Sequence, residues 1–127
     1  MIDRRTLVAT GLVAALGGRA LAAEGETGMY GMIGKITAQP GQRDALIRIL
    51  LEGSGGMPGC LSYIVSEDLK DPDMIWVSES WDSKGSHAAS LNLPAVQAAI
   101  AKARPLIAGF DTAAELRPVG GLGLGAH

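Results

Sequence analysis

Residues 60–81 read CLSYIVSEDLKDPDMIWVSESW, and the rest of the domain can be built outward from this stretch. Apolar and polar side chains alternate from Cys60 to Asp68 and again from Met74 to Trp81. Residues 69–73, between the two runs, are mostly polar and include a proline. Two alternating runs joined by a short polar loop predict a β-hairpin.

The second strand of this hairpin has two faces of different character. One face carries Ile75, Val77, Glu79 and Trp81, and the other carries Met74, Trp76, Ser78 and Ser80. Glu79 is the exception on its face, and an unpaired buried carboxylate is costly. We therefore expect Glu79 to be a hydrogen-bond anchor that ties this strand to a neighbouring strand or to a dimer partner, rather than a catalytic acid.

A strand and a helix are predicted before the hairpin. Residues 28–38 alternate and end at turn-forming residues 39–41, which is typical of a first strand. From Gln42 to Gly53 apolar side chains recur with helical spacing, which predicts an amphipathic helix. The glycine-rich residues 53–59 end this helix. They do not match a dinucleotide-binding loop, because the third glycine is out of register and no strand precedes them.

Two helical stretches are predicted after the hairpin. The first is short and covers residues 84–91. The second begins at Pro94, a residue favoured in the first helical turn, and its apolar face extends to Ile107. Pro105 and Gly109 are expected to end it.

The last predicted strand runs from Asp111 to Val119, and the glycine-rich residues 120–127 form a flexible tail. The order of elements over residues 28–119 is therefore βαββαβ. This order is typical of an α+β, ferredoxin-like domain, in which helices cover one face of an antiparallel sheet.

The second face of this sheet also needs a cover. Apolar side chains lie on both faces of the strand that ends at Trp81, and monomers rarely expose a large apolar patch. Packing of two sheets against each other is the simplest solution, so the sequence predicts a homodimer.

Residues 1–23 have the pattern of an export signal. Arg4 and Arg5 precede an apolar run, and small residues at positions 20–23 resemble a cleavage site. The arginine pair is compatible with twin-arginine export, and the general secretory route stays open. An uncleaved membrane anchor is the alternative, but the apolar run is shorter than the ~20 residues of a spanning helix. We expect an exported, periplasmic or secreted domain without stable membrane insertion after cleavage.

Composition excludes several classes of function. The chain has 127 residues and a net charge of −2, so it lacks the positive charge on which nucleic-acid binding depends. One cysteine and two histidines cannot form a four-ligand Cys/His zinc site or an internal disulfide. We therefore predict no metal, no nucleic-acid partner and a single domain.

Five short motifs together resemble the antibiotic biosynthesis monooxygenase family, in its small quinol-monooxygenase-like branch. They are Met57-Pro58-Gly59-Cys60-Leu61-Ser62-Tyr63, Asp71-Pro72-Asp73, Glu79-Ser80-Trp81, residues 86–93 and Pro94-Ala95-Val96. The resemblance implies a dimeric α+β barrel in which each subunit holds a pocket between its sheet and its helices. It also implies oxidation of an electron-rich aromatic compound by O2 without flavin, haem or metal, so no cofactor is expected.

The sequence departs from the family pattern at two places. Many members have a histidine about nine residues after the motif tryptophan, where this chain has Ser90, and His87 lies one helical turn earlier. Members that degrade haem have an asparagine in the first strand, but residues 32–34 are Met-Ile-Gly here, which disfavours haem degradation.

His87 is the candidate catalytic base, because cofactor-free oxygenation needs a base that works near neutral pH and His127 lies in the tail. An exposed histidine on a helix is the alternative. Tyr63 is a candidate donor to a quinone-like oxygen, and it could equally be a buried tyrosine bonded to backbone. Cys60 is expected to be a small buried residue and not a nucleophile.

Four further residues are candidates for substrate binding. Trp76 and Trp81 lie on opposite faces of their strand, so at most one of them can line the pocket on the helix side. Ser90 and Asn92 precede Pro94, and helix entry is their structural alternative.

The sequence supports two functions of different class. The first is a cofactor-independent monooxygenase that oxidises a quinol-like or polycyclic aromatic substrate with O2. The second is a non-enzymatic dimer that binds a small apolar ligand, or acts in a stress response, with the same pocket.

Overall fold

The computed structural model describes residues 28–124, and the predicted export signal at residues 1–23 lies outside this range. The elements of the described residues are listed here in chain order: β1 (Tyr30–Ala38), α1 (Arg43–Gly53), β2 (Cys60–Glu67), β3 (Met74–Trp81), α2 (Lys84–Ser90), α3 (Pro94–Ala103), a 3-10 turn (Arg104–Leu106) and β4 (Ile107–Leu116). Residues 117–124 form no helix or strand, and residues 125–127 of the predicted tail are not described.

The four strands form one antiparallel sheet in the order β2-β3-β1-β4. The predicted hairpin is confirmed, since β2 and β3 pair side by side. Strand β1 lies between β3 and β4 and places Tyr30 opposite Trp81 and Met32 opposite Glu79. The predicted α+β, ferredoxin-like class is confirmed as well.

The core lies between one face of the sheet and the helices. Side chains from α1, α3, β1 and β3 form it, with Leu46 and Ile75 completely buried. Helices α1 and α3 pack directly on each other. A Cβ atom at Gly53 would collide with the Cβ of Ala99, so the helices can approach this closely only because residue 53 has no side chain.

The start of β4 differs from the sequence prediction. The strand begins at Ile107 instead of Asp111, and α3 ends at Ala103. Pro105 lies in the 3-10 turn, because proline cannot continue the helical hydrogen-bond pattern. Ile107, predicted on the apolar face of the helix, instead pairs with Ala38 of β1 and packs against the core from the sheet.

The loop between β2 and β3 is fastened to α1 by one side chain. Arg43 Nη1 donates to the carbonyl oxygens of Asp68 (3.1 Å), Asp71 (3.0 Å) and Met74 (3.2 Å). Its Nη2 lies 3.6 Å from Glu67 Oε1. The first residue of α1 thus holds the turn of the hairpin against the helix layer.

Between residues 28 and 124, no helix is both long enough and apolar enough to span a membrane.

Candidate active site

A cavity of about 360 Å³ lies between the sheet and the helices. Its wall consists mostly of apolar side chains, and the polar residues in it are Ser54, Tyr63, Glu79, His87 and Ser90. A volume of this size and a wall with few polar groups are typical of a small-molecule site.

Glu79 and Trp81 lie two residues apart on the face of β3 that lines the cavity. Trp81 is fully buried, and its indole Nε1 donates to Glu79 Oε1 at 2.9 Å. The Glu79 carboxylate therefore accepts a hydrogen bond within its own strand, whereas the sequence predicts a bond to a neighbouring strand or to a dimer partner. The reason is that side chains at i and i+2 of a strand share a face.

His87 lines the cavity from α2 and faces the same carboxylate. Its Nε2 lies 3.7 Å from Glu79 Oε1, which is longer than a direct hydrogen bond. The side chains of His87 and Glu79 are only 18% and 10% exposed. A carboxylate at this distance stabilises the positive charge that an imidazole acquires when it accepts a proton.

Two aromatic rings flank the imidazole of His87. The ring of Trp81 meets it edge-on, and the ring of Tyr30 is tilted against it, each with centroids 5.4 Å apart. The Tyr30 hydroxyl donates to Glu115 Oε2 at 2.7 Å, and Lys84 Nζ lies 3.8 Å from the same carboxylate oxygen. These contacts restrict the orientation of the imidazole.

Tyr30 was not among the residues predicted for the site. A signal was present in the sequence, because Tyr30 shares its strand face with Met32, which lines the cavity. The antiparallel register then places Tyr30 beside Trp81, and this register depends on pairing across the sheet.

Tyr63 lines the cavity opposite Glu79 in the β2–β3 ladder. Burial, followed by the negative charge of Glu79, raises the pKa of Tyr63 to about 12. Among the described residues, no group hydrogen-bonds to the Tyr63 hydroxyl. Tyr63 therefore keeps its proton at neutral pH and can donate it in a hydrogen bond to a ligand.

Cys60 stands at the start of β2, as predicted, and is half-buried. Burial and the charge of Glu79 raise the pKa of its thiol. A raised pKa disfavours the thiolate, so the residue is unsuited to nucleophilic chemistry.

The other predicted binding residues have different positions. Ser90 is buried in the cavity wall, but its hydroxyl donates to the carbonyl oxygen of His87 at 2.6 Å. Asn92 is exposed and does not line the cavity, because it lies in the turn between α2 and α3. The structure therefore does not bring Asn92 to this cavity, and its role in binding stays a prediction.

Trp76 also lies away from the cavity, on the opposite face of the sheet from Trp81. Its indole Nε1 donates to Asp68 Oδ2 at 2.8 Å, and Lys35 Nζ lies 5.9 Å from the ring centroid. The indole and the backbone N–H groups of Asp71 and Lys70 lower the pKa of Asp68 to about 2. Trp76 thus bonds to Asp68 beside the hairpin loop and does not line the cavity.

Several apolar wall residues were not predicted as site residues either, among them Leu50, Leu91, Ile100 and Phe110. Periodicity places such residues on an inner face but does not tell a filled core from a cavity wall. Within residues 28–124, no group of three or more His, Cys, Asp or Glu side chains is arranged to hold a metal ion.

Comparison with known proteins identifies the family of this chain. The family model for antibiotic biosynthesis monooxygenases matches residues 29–102, and the chain belongs to this family. A solved structure from Chloroflexus aurantiacus J-10-fl, assigned by name to the same monooxygenases, is 65% identical with a TM-score of 0.74. The match covers 76% of this chain and 99% of that chain.

More distant structures share the fold. A protein from Caulobacter crescentus CB15, also assigned by name to the antibiotic biosynthesis monooxygenases, is 22% identical with a TM-score of 0.68. The match covers 78% of this chain and 99% of that chain. No curated protein matches the sequence.

Proposed function

We propose that the protein is a cofactor-independent monooxygenase that oxidises a quinol-like aromatic compound with O2. Family membership supports a monooxygenase-like function in general. The proposal of a quinol-like substrate rests on one observation. His87, Glu79 and Tyr63 lie together in the wall of an otherwise apolar cavity.

His87 is the proposed base that removes a proton from a hydroxyl group of the bound quinol. Glu79, 3.7 Å from Nε2, stabilises the imidazolium that results. The Tyr63 hydroxyl donates to the oxygen on which negative charge develops, because it keeps its proton at neutral pH. Proton removal makes the ring a better electron donor, and O2 is the acceptor.

The reaction balances without a further reductant. One oxygen atom of O2 replaces a ring hydrogen, and the other leaves as water. Oxidation of the quinol to a quinone supplies two of the four electrons that O2 needs, and conversion of the ring C–H bond to C–O supplies the other two. The product is a hydroxyquinone.

The apolar wall fits this chemistry. It accommodates a flat aromatic ring and excludes water from the reactive anion, which strengthens its interactions with charged and polar groups. The few polar side chains can orient the ring oxygens.

The test is to mix the purified protein with a quinol under anaerobic conditions and then to admit O2. We expect binding before O2 is added, followed by protein-dependent O2 consumption and formation of hydroxyquinone. Heat-denatured protein measures the spontaneous oxidation of the quinol. Stoichiometric binding without turnover would contradict the proposal and favour a non-enzymatic module that binds apolar ligands.

We propose in addition that the domain acts outside the cytoplasm, in the periplasm or the medium. The signal-like pattern of residues 1–23 supports this location. N-terminal sequencing of the exported fraction should show a chain that begins after Ala22 or Ala23, and an intact Met1 in that fraction would contradict it.

A further inference from the structure

Three apolar residues of the cavity wall are also exposed to solvent. Leu91 is 48%, Ile100 37% and Phe110 55% exposed, whereas Val77 and Trp81 in the same wall are buried. They lie at the end of α2, on α3 and on the edge strand β4. We call Leu91, Ile100 and Phe110 the apolar rim, and the cavity opens to solvent there.

The candidate catalytic residues and Phe110 of the apolar rim lie at two different positions along the strands. We call the first the polar level and the second the apolar level. Tyr63, Glu79 and Met32 lie opposite one another across three strands, and His87 faces Glu79. Phe110 lies opposite Ile36, four residues further along β1. At ~3.3 Å per residue, the two levels are about 13 Å apart.

The wall between these levels has no hydrogen-bonding side chain on β1. Residue 34, midway between Met32 and Ile36, is a glycine that lines the cavity. The Phe110 ring lies beside it, with Cε1 3.5 Å from the position that a Cβ of residue 34 would take. Val77 of β3 is opposite Gly34, and Ala103 and Ile107 complete the apolar part.

We propose that the substrate carries an aliphatic chain on its aromatic ring. The ring binds at the polar level, beside His87, Glu79 and Tyr63, and the chain lies along the apolar level and leaves through the apolar rim. The identity of the ring rests on the function proposed above. The aliphatic chain of the substrate is inferred from the apolar rim. A site for an unsubstituted ring would not need exposed apolar side chains that continue its wall.

Binding of oxidised naphthoquinones tests the proposal, since it requires no turnover. Three probes share one ring and carry no chain, a propyl chain or a hexyl chain, and calorimetry gives their dissociation constants. Each buried methylene should tighten binding about fourfold. The propyl and hexyl probes should therefore bind progressively more tightly than the bare ring.

Variants of the rim show where the chain lies. Phe110→Ser and Ile100→Ser should weaken the dependence of affinity on chain length, and they should weaken binding of the hexyl probe more than binding of the bare ring. Leu51→Ser is the matched control, because Leu51 is 56% exposed on α1 but does not line the cavity. Leu51→Ser should show the same dependence of affinity on the length of the aliphatic chain as the wild type.

Three results would overturn the proposal. The first is equal affinity of the wild type for all three probes. The second is a dependence on chain length that Phe110→Ser and Ile100→Ser leave intact. The third is a lower oligomeric mass of the rim variants than of the wild type in light scattering. This result would show that a second copy of the protein covers the rim. Absence of O2 consumption would contradict the monooxygenase function alone, because the probes are already oxidised.

Discussion

The indole N–H of Trp81 donates to Glu79 Oε1 at 2.9 Å, and the same oxygen lies 3.7 Å from His87 Nε2. One carboxylate thus satisfies the only polar group of a buried tryptophan and faces the candidate base. These two tasks can be separated by substitution, because the first requires only an acceptor and the second requires a negative charge.

Glu79→Gln should lower turnover and leave the stability of the fold nearly unchanged. The glutamine carbonyl can still accept the bond from Trp81, but the charge that stabilises an imidazolium is lost. Glu79→Ala should lower turnover and also destabilise the protein by about 1–3 kcal/mol, because the buried indole N–H loses its acceptor. Urea unfolding and steady-state kinetics measure the two effects. Equal stability of both variants would contradict the anchor role.

His87→Ala should lower turnover roughly 10²–10⁴-fold, the usual contribution of a general base. His87→Asn retains polarity without basicity and should be as slow. Circular dichroism checks that both variants stay folded, and calorimetry with an oxidised quinone checks that they still bind the ring. Asn92→Ala is the control, because Asn92 lies outside the cavity wall. Wild-type turnover in either His87 variant would make His87 a structural residue.

The sequence predicted the hairpin and the shared face of Glu79 and Trp81 because period-two alternation is a local property of a strand. It also predicted that Trp76 and Trp81 point apart. It could not tell which tryptophan faces the helices, because that depends on the side of the sheet on which the helices pack. The contact between Tyr30 and His87 depends in the same way on the register of β1 against β3.

The start of β4 was missed for a related reason. Ile107 continues the helical spacing of α3, and residues 107–110 show no clear alternation of apolar and polar side chains. Their strand conformation comes from pairing with β1, whose partner residue Ala38 is distant in sequence. Sequence patterns also could not show that apolar residues of α3 and β4 enclose an open cavity.

A homodimer is predicted through the face of the sheet that is turned away from the helices. On this face Ile33 of β1 and Ile64 of β2 lie on either side of Ser78 in β3, and Trp76 lies two residues before Ser78 on the same strand. Light scattering at micromolar concentration should give twice the subunit mass. The interface between the two subunits should bury at least ~1,000 Å². Ile33→Asp should yield monomers because it buries a charge, and Leu69→Asp, in the exposed loop, should not. A monomeric wild type would contradict the prediction.

The two tyrosines should ionise only at strongly alkaline pH in the folded protein. Burial and the hydrogen bond to Glu115 raise the pKa of Tyr30, and burial and Glu79 raise that of Tyr63 to about 12. Unfolded tyrosine titrates near ~10, so the folded state binds these protons more tightly. The contribution of Tyr63 to stability is complete below pH ~10 and is lost as the pH rises through about 12, and the raised pKa of Tyr30 places its own loss above pH ~10 as well.

Ultraviolet titration of tyrosinate measures this difference. The native protein should show little tyrosinate at pH ~10, whereas the protein in guanidinium chloride should be about half-ionised there. Tyr63→Phe should remove the step at about 12 and leave that of Tyr30. A native titration midpoint near ~10 for both tyrosines would contradict the burial of Tyr63 in the cavity wall.

Arg43→Ala should destabilise the protein by about 1–3 kcal/mol, because three carbonyl oxygens of the hairpin loop lose a charged donor. The Arg43 side chain is only 18% exposed, so water replaces these bonds incompletely. Arg43→Lys should be intermediate, since a single ammonium group cannot reproduce the geometry of the guanidinium. Arg48→Ala is the matched control, because Arg48 is exposed on the same helix, and its effect should stay within about 0.5 kcal/mol. Urea midpoints at neutral pH rank the variants, and an Arg43→Ala midpoint equal to that of Arg48→Ala would show that the loop does not depend on this arginine.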